Sequence, residues 1–206
     1  MSQPAPEVFV VDDDVGLCVA VARLVRAAGF RVQTFGAANE LLESQRLEDA
    51  DCLVLDVQLP DLTGLDLQER IAQLGIELPI VFLTGRGDVP MSVRAMKAGA
   101  IEFLQKPFDN VVLLEAIRQG VSRRQQARRD AEHCAGLQQR YRSLTPRQRE
   151  VFALVVRGLL NKQIAGELGT GERTVKIHRG EVMRRMGASS LPDLVRMAEQ
   201  LSQHLP

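Results

Sequence analysis

The chain has 206 residues, 45% of them hydrophobic and 25% charged, proportions that argue against collagen and wholesale disorder. No apolar run nears the ~18 residues a membrane helix needs, and residues 1–7 lack the basic start and apolar core of a secretory signal. The formal net charge is zero, yet residues 1–120 hold 10 Lys+Arg against 18 Asp+Glu and residues 121–206 hold 16 against 8, so two modules with different partners are expected, the basic one suited to nucleic acid.

Short apolar runs at 8–11, 32–35, 52–55, 80–83 and 101–104 alternate with helical patterns, as repeated strand–helix units do. After the first run, Leu17, Val21, Leu24 and Ala28 recur at steps of four, three and four, one apolar face of a helix that Gly29 ends. Similar patterns predict helices over 65–74 and 89–98, the latter stopped by Gly99. Five strands with intervening helices imply a parallel sheet covered on both faces. Past Pro107, Asp109 can cap a helix starting at Asn110, with Val112, Leu113, Ala116 and Ile117 on its buried side. Residues 122–142 are rich in Arg and Gln and contain no Pro and one Gly, Gly136. They read as an extension of that helix, the alternative being a flexible tether.

The remainder reads as a compact helical block. Thr145, Pro146 and Gln148 mark a capped helix start, and that helix is expected to run to Arg157. Asn161 can cap a short second helix ending by Leu168. A third runs from Glu172 to Met186, and Ser190 and Pro192 open a fourth. Gly169, Thr170 and Gly171 join the second and third in a helix-turn-helix pattern. Cys18, Cys52 and Cys134 are too widely separated for a disulfide framework or a zinc site and fit a reducing, cytoplasmic compartment.

In open parallel sheets the functional crevice lies beyond the carboxyl ends of the strands. There the sequence puts Asp12, Asp13 and Asp14 after the first strand, Asp56 after the third, Thr84 after the fourth and Lys106 after the fifth. Neighbouring carboxylates repel one another and need a cation or a shared proton. A hard ion such as Mg²⁺ meets that need with oxygen ligands. With Lys106 as a cation for a phosphoryl oxygen and Thr84 as a hydroxyl donor, the set suits phosphoryl transfer to Asp56. Asp14 alone reads as a helix cap, and the plain alternative for the whole set is caps and surface acids.

The runs Val10-Val11-Asp12-Asp13-Asp14, Leu55-Asp56-Val57-Gln58-Leu59-Pro60-Asp61-Leu62-Thr63-Gly64, Leu83-Thr84-Gly85 and Lys106-Pro107-Phe108 resemble, in order and spacing, the receiver domain of two-component response regulators. The resemblance covers about residues 5–125 and implies a five-stranded, doubly wound, flavodoxin-like α/β fold of strand order 2-1-3-4-5. It implies that Asp56 accepts a phosphoryl group from a sensor histidine kinase with Mg²⁺ present. The metal ligands it implies are Asp12, Asp13, Asp56 and the backbone carbonyl of Gln58. Thr84 and Lys106 would bind phosphoryl oxygens. Phe103, three residues before the lysine, stands at the aromatic switch position, where many relatives carry Tyr; its other reading is core. The Lys106-Pro107 bond is expected to be cis and to aim Lys106 at the pocket.

In the third helix of the block, Val175, His178, Val182 and Met186 share one stripe at about 100° per residue, and that stripe is expected to be buried. The opposite side carries Arg173, Lys176, Ile177, Gly180 and Arg184. Such a face fits a DNA major groove, where Lys and Arg also neutralise phosphates. His178 reads first as a packing residue and second as a base contact, while Arg179 and Arg185 flank the face as phosphate candidates. A solvated charged face is the alternative for the whole helix.

The runs Leu144-Thr145-Pro146-Arg147-Gln148-Arg149-Glu150-Val151, Asn161-Lys162-Gln163-Ile164-Ala165 and Arg173-Thr174-Val175-Lys176-Ile177-His178-Arg179 resemble the all-α, four-helix LuxR-type DNA-binding domain, over 143–206. Residues 126–142 would then be a helical linker, and the whole chain resembles the NarL/FixJ class, particularly FixJ-like and StyR-like members. The resemblance implies DNA contacts from Lys162, Thr174, Lys176 and Ile177, with His178 and Arg179 at the edge. Gly171 stands where many relatives have a serine cap, and Gly180 where some have a longer side chain. The expectation is a cytoplasmic, non-enzymatic regulator with no membrane partner, which forms a homodimer on phosphorylation and grips double-stranded promoter DNA. One rival is a Mg²⁺-dependent phosphohydrolase with Asp56 as nucleophile, but the second acid such enzymes use is here Gln58. The other rival is a receiver whose output binds RNA or protein.

Overall fold

The computed structural model describes residues 4–85 and 89–202, so the expected domain end at 203–206 lies outside the described residues. The chain divides between Ala127 and Arg128 into two units. The first contains strands β1 (Glu7–Val11), β2 (Arg31–Phe35), β3 (Cys52–Asp56), β4 (Ile80–Thr84) and β5 (Glu102–Gln105), all parallel, in the order β2-β1-β3-β4-β5. Helices α1 (Val15–Ala27), α2 (Ala38–Glu43), α3 (Gly64–Gln73) and α4 (Val89–Lys97) alternate with the strands, and α5 (Asn110–Arg142) follows the last.

Strand side chains alternate between two faces, and each face meets its own helices. Phe9, Leu53, Leu55 and Phe82 pack with Leu67 and Ile71 of α3. Val10, Val54 and Val81 pack with Val21 and Val25 of α1 and with Leu113 and Ile117 of α5. β1, β3 and β4 are therefore buried along their whole length, as near-continuous apolar strands must be.

In this unit two local features depart from the sequence reading. The first concerns Val112, which is 44% exposed. The buried side of α5 runs through Leu113, Ala116, Ile117 and Val121, steps of three, one and four that leave Val112 beyond the edge of the stripe. The second concerns α2, whose six residues no sequence signal announced. Its N-cap residue, Ala37, has no capping side chain. Asp61, from the loop after β3, supplies the acceptors instead: Oδ1 takes the Ala38 N–H at 3.2 Å and Oδ2 the Asn39 N–H at 2.7 Å.

The second unit packs α6 (Pro146–Val156), α7 (Asn161–Glu167), α8 (Glu172–Met186) and α9 (Leu191–Ser202) around Val151, Val155, Ile164, Val175, Val182, Met186 and Leu194. Thr145 and Gln148 form the expected reciprocal cap on α6. Asn161 does not cap α7. It is the first helical residue, and the free N–H of Leu160 before it donates to Gln163 Oε1 at 2.8 Å.

The stretch expected to link the two units is one helix with α5, which runs unbroken for 33 residues. Its last turns supply core to the second unit. Leu137 is 1% exposed, the Tyr141 ring meets Phe152 edge-on at 5.3 Å, and Arg140 Nη1 donates to the Met186 carbonyl at 3.1 Å. Cys18 and Cys52 are buried, and Cys134 on α5 is half-buried. Burial pushes the Cys52 thiol up to about 12.

Candidate functional site

β1 and β3 lie in register, Val11 opposite Leu55, so the next residues, Asp12 and Asp56, leave the sheet side by side. Asp12, Asp13 and Asp56 each present a carboxylate oxygen, the three within 4.8 Å of one another. Asp12 and Asp56 are buried, while Asp13 is exposed at the mouth. Lys106 Nζ donates to Asp12 Oδ2 at 2.6 Å and to Asp56 Oδ2 at 2.7 Å. The remaining oxygens accept backbone N–H groups: Asp14 N–H to Asp12 Oδ1 at 2.9 Å, and Gln58 N–H to Asp56 Oδ1 at 3.1 Å.

Burial raises the Asp12 carboxyl above its ordinary value; the Lys106 and Asp14 hydrogen bonds oppose the rise and the Asp56 charge adds to it. For Lys106 burial pulls downward, but the bonds and charges of Asp12 and Asp56 outweigh it and raise the ammonium. Asp14 caps α1, accepting the Leu17 N–H at 3.1 Å.

The loop after β3 is packed hard behind Asp56. Gly64 N–H donates to the Val57 carbonyl at 2.9 Å, and a Cβ on Gly64 would stand 2.3 Å from the Asp56 carbonyl oxygen, so only glycine fits. Thr84 is fully buried at the end of β4, and its carbonyl accepts the Lys106 N–H at 2.7 Å. The Lys106-Pro107 bond is cis. Phe103 is half-buried on β5, its ring 6.0 Å from that of Phe82 at 42°, against the core. The oxygens gathered here are carboxylates, the kind that suits Mg²⁺ and not a soft metal. Sequence reasoning gave no role to Asp61 or to the Cys18 thiol, which donates to the Asp12 carbonyl at 3.3 Å; neither contact has a local signature.

On α8, Val175, Val182 and Met186 are buried, and Arg173, Thr174, Lys176 and Ile177 face solvent, Ile177 at 60% exposure. Lys162 is exposed on α7. His178 is half-buried beside the apolar stripe. Arg179 is half-buried too, and its Nη1 donates to Asn161 Oδ1 at 3.1 Å, tying α8 to the start of α7. Arg184 is exposed and pairs with Glu181 at 2.6 Å. No side chain caps α8 at Gly171, whereas Arg147 Nη2 fastens the preceding turn through the Leu168 carbonyl at 2.6 Å.

A family model described as "Response regulator receiver domain" matches residues 8–118, and one described as "Bacterial regulatory proteins, luxR family" matches residues 142–198. Nodulation protein W of Bradyrhizobium diazoefficiens is 48% identical over 194 residues, covering 94% of this chain and 86% of that protein. Response regulator protein TodT of Pseudomonas putida is 42% identical over 205 residues, covering 100% and 90%. A solved structure of the response regulator StyR superposes with a TM-score of 0.88 at 48% identity, covering 96% of this chain and 100% of that one.

Proposed function

The chain belongs to the two-component response regulators that join a receiver to a LuxR-type DNA-binding domain, and from that premise we propose that phosphorylation of Asp56 by a sensor histidine kinase controls its grip on promoter DNA. The observation that carries this reading is the ammonium of Lys106, shared at 2.6 and 2.7 Å by the carboxylates of Asp12 and Asp56, with Asp13 beside them.

One Asp56 carboxylate oxygen attacks the phosphorus of a kinase phosphohistidine. An O–P bond forms as the N–P bond breaks, and the imidazole leaves with the electron pair and takes up a proton. Asp12, Asp13, Asp56 and the Gln58 carbonyl would hold Mg²⁺, which supplies positive charge against the crowded carboxylates and the incoming phosphoryl oxygens. Lys106 then exchanges the Asp56 oxygen for a phosphoryl oxygen, and the Thr84 hydroxyl donates to another. Gln58, two residues past Asp56, cannot serve as the acid–base group of a hydrolase, which favours a switch over an enzyme.

Phe103 packs beside Phe82 on the strand that leads to Lys106, where a shift of Thr84 and Lys106 is felt. Moving a two-state equilibrium from 1:99 to 99:1 takes ~5.5 kcal/mol, within reach of several new charge-assisted bonds. The favoured state is a homodimer that sets two α8 helices on two half-sites of duplex DNA in the bacterial cytoplasm. On that DNA, Lys176, Ile177 and Thr174 reach bases, while Lys162, Arg173, Arg179 and Arg184 meet phosphates and His178 lies at the edge. Asp56→Asn is expected to abolish covalent labelling by a small acyl phosphate, read by intact mass; undiminished labelling of that variant overturns the assignment.

A further inference from the structure

The loop of residues 57–63 carries Gln58 over the carboxylate pocket, and its two ends are fixed by their own helix and strand. Gly64 N–H bonds back to Val57, and Thr63 Oγ1 caps α3 through the Asp66 N–H at 3.2 Å. Between them Gln58 and Pro60 are exposed, Leu59 and Leu62 are half-buried against the core, and the polar anchor of this middle stretch is Asp61. Its carboxylate accepts three backbone N–H groups, from Ala38, Asn39 and Leu62, at 3.2, 2.7 and 3.0 Å. Two of the three belong to α2, which begins just beyond β2.

The end of β2 is itself bonded to the pocket, since the Phe35 carbonyl accepts the Asp12 N–H at 3.2 Å. The contacts therefore close a ring: from Asp12 to Phe35, along the chain to Ala38 and Asn39, across to Asp61, back to Gln58, from its N–H to Asp56, and through Lys106 to Asp12. The link at Asp61 is charge-assisted and joins the loop after β3 to the start of α2. With Ala37 at the cap position, the α2 N–H groups lose their protein acceptor if Asp61 is removed.

We propose that Asp61 is a positioning residue: by clamping the loop after β3 to the start of α2, it holds the Gln58 side of the pocket in place for a divalent cation. The inference rests on the reading of the pocket as a Mg²⁺-dependent phosphoacceptor site. Asp61 touches neither the cation nor the phosphoryl group.

The experiment is a calorimetric Mg²⁺ titration of the full chain and of the variants Asp61→Ala, Asp61→Asn and Thr145→Ala, with hydrogen exchange at Ala38 and Asn39 and acyl phosphate labelling read in parallel. Asp61→Ala is expected to weaken Mg²⁺ binding about tenfold, the low end for residues that orient metal ligands, and to speed exchange of the two amides. Asp61→Asn, which keeps a carbonyl acceptor, falls between. Thr145→Ala removes a helix cap in the other unit and binds Mg²⁺ as the unaltered chain does, so a general loss of stability does not mimic the effect. Unchanged Mg²⁺ affinity in Asp61→Ala overturns the inference, as does an unaltered chain that binds no Mg²⁺. An unaltered chain that binds Mg²⁺ with the predicted Asp61 dependence yet takes no label overturns the phosphoacceptor reading and supports the clamp.

Discussion

Lys106 sets the electrostatic balance of the pocket, because two carboxylates compete for one ammonium. Its raised value means that the folded chain holds the lysine proton more tightly than the unfolded chain does. That contribution is complete below the ordinary lysine value of 10.5 and is lost as pH rises through the folded value. The raised Asp12 carboxyl has the same sign: its contribution is complete below 3.8 and is lost as pH rises through its folded value, above which the ionised carboxylate leans on Lys106. Lys106→Met should therefore cost about 3 kcal/mol at pH 7, as when one partner of a buried pair is removed, and added Mg²⁺ should restore part of it. Urea midpoints across pH check this, and the gap to the unaltered chain should close above pH 10.5. The residues of this pocket were legible in the sequence because strand ends of a parallel sheet converge on one rim, so Asp12, Asp56, Thr84 and Lys106 declare themselves once the strands are known. Asp61 was not legible, because its partners are backbone N–H groups 22 and 23 residues away that carry no side-chain mark.

At the level of elements, α5 belongs to both units. Leu137 and Tyr141 lie in its last turns and pack on α6 and its neighbours. Leu137→Ala is expected to cost the second unit 2–5 kcal/mol, roughly the usual toll of truncating a buried leucine. A fragment starting at residue 128 should melt cooperatively in calorimetry, and one starting at 143 should melt at lower temperature; equal melting would show the helix end to be dispensable. Helices with their own caps were readable: α1 from Asp14, α6 from Thr145 and Gln148. α2 was hidden because its cap comes from another loop, and the α7 start was misassigned because Asn161 turns to Arg179 instead of its own backbone. The helical continuity of 122–142 followed from propensity, but the burial of Leu137 did not, since one leucine among Arg and Gln gives no periodic stripe.

For the whole molecule, the opposite charges of the two halves assign them separate tasks, and the basic half is where ionic strength should act. Lys162→Ala is expected to reduce the slope of log K against log salt by about 1, with weakening spread evenly over DNA sequences. Ile177→Ala should leave that slope unchanged and alter sequence preference, because an exposed apolar side chain reads thymine methyls and not phosphates. Binding isotherms at several salt concentrations on two duplexes separate the effects. The thiols offer a practical consequence. Cys18 and Cys52 are shielded by the sheet and its helices, and Cys52 stays protonated far above neutral pH, whereas Cys134 reaches solvent. A maleimide dye would thus attach once per copy without mutagenesis, and energy transfer between differently coloured copies becomes a ruler for self-association that the native sequence already provides.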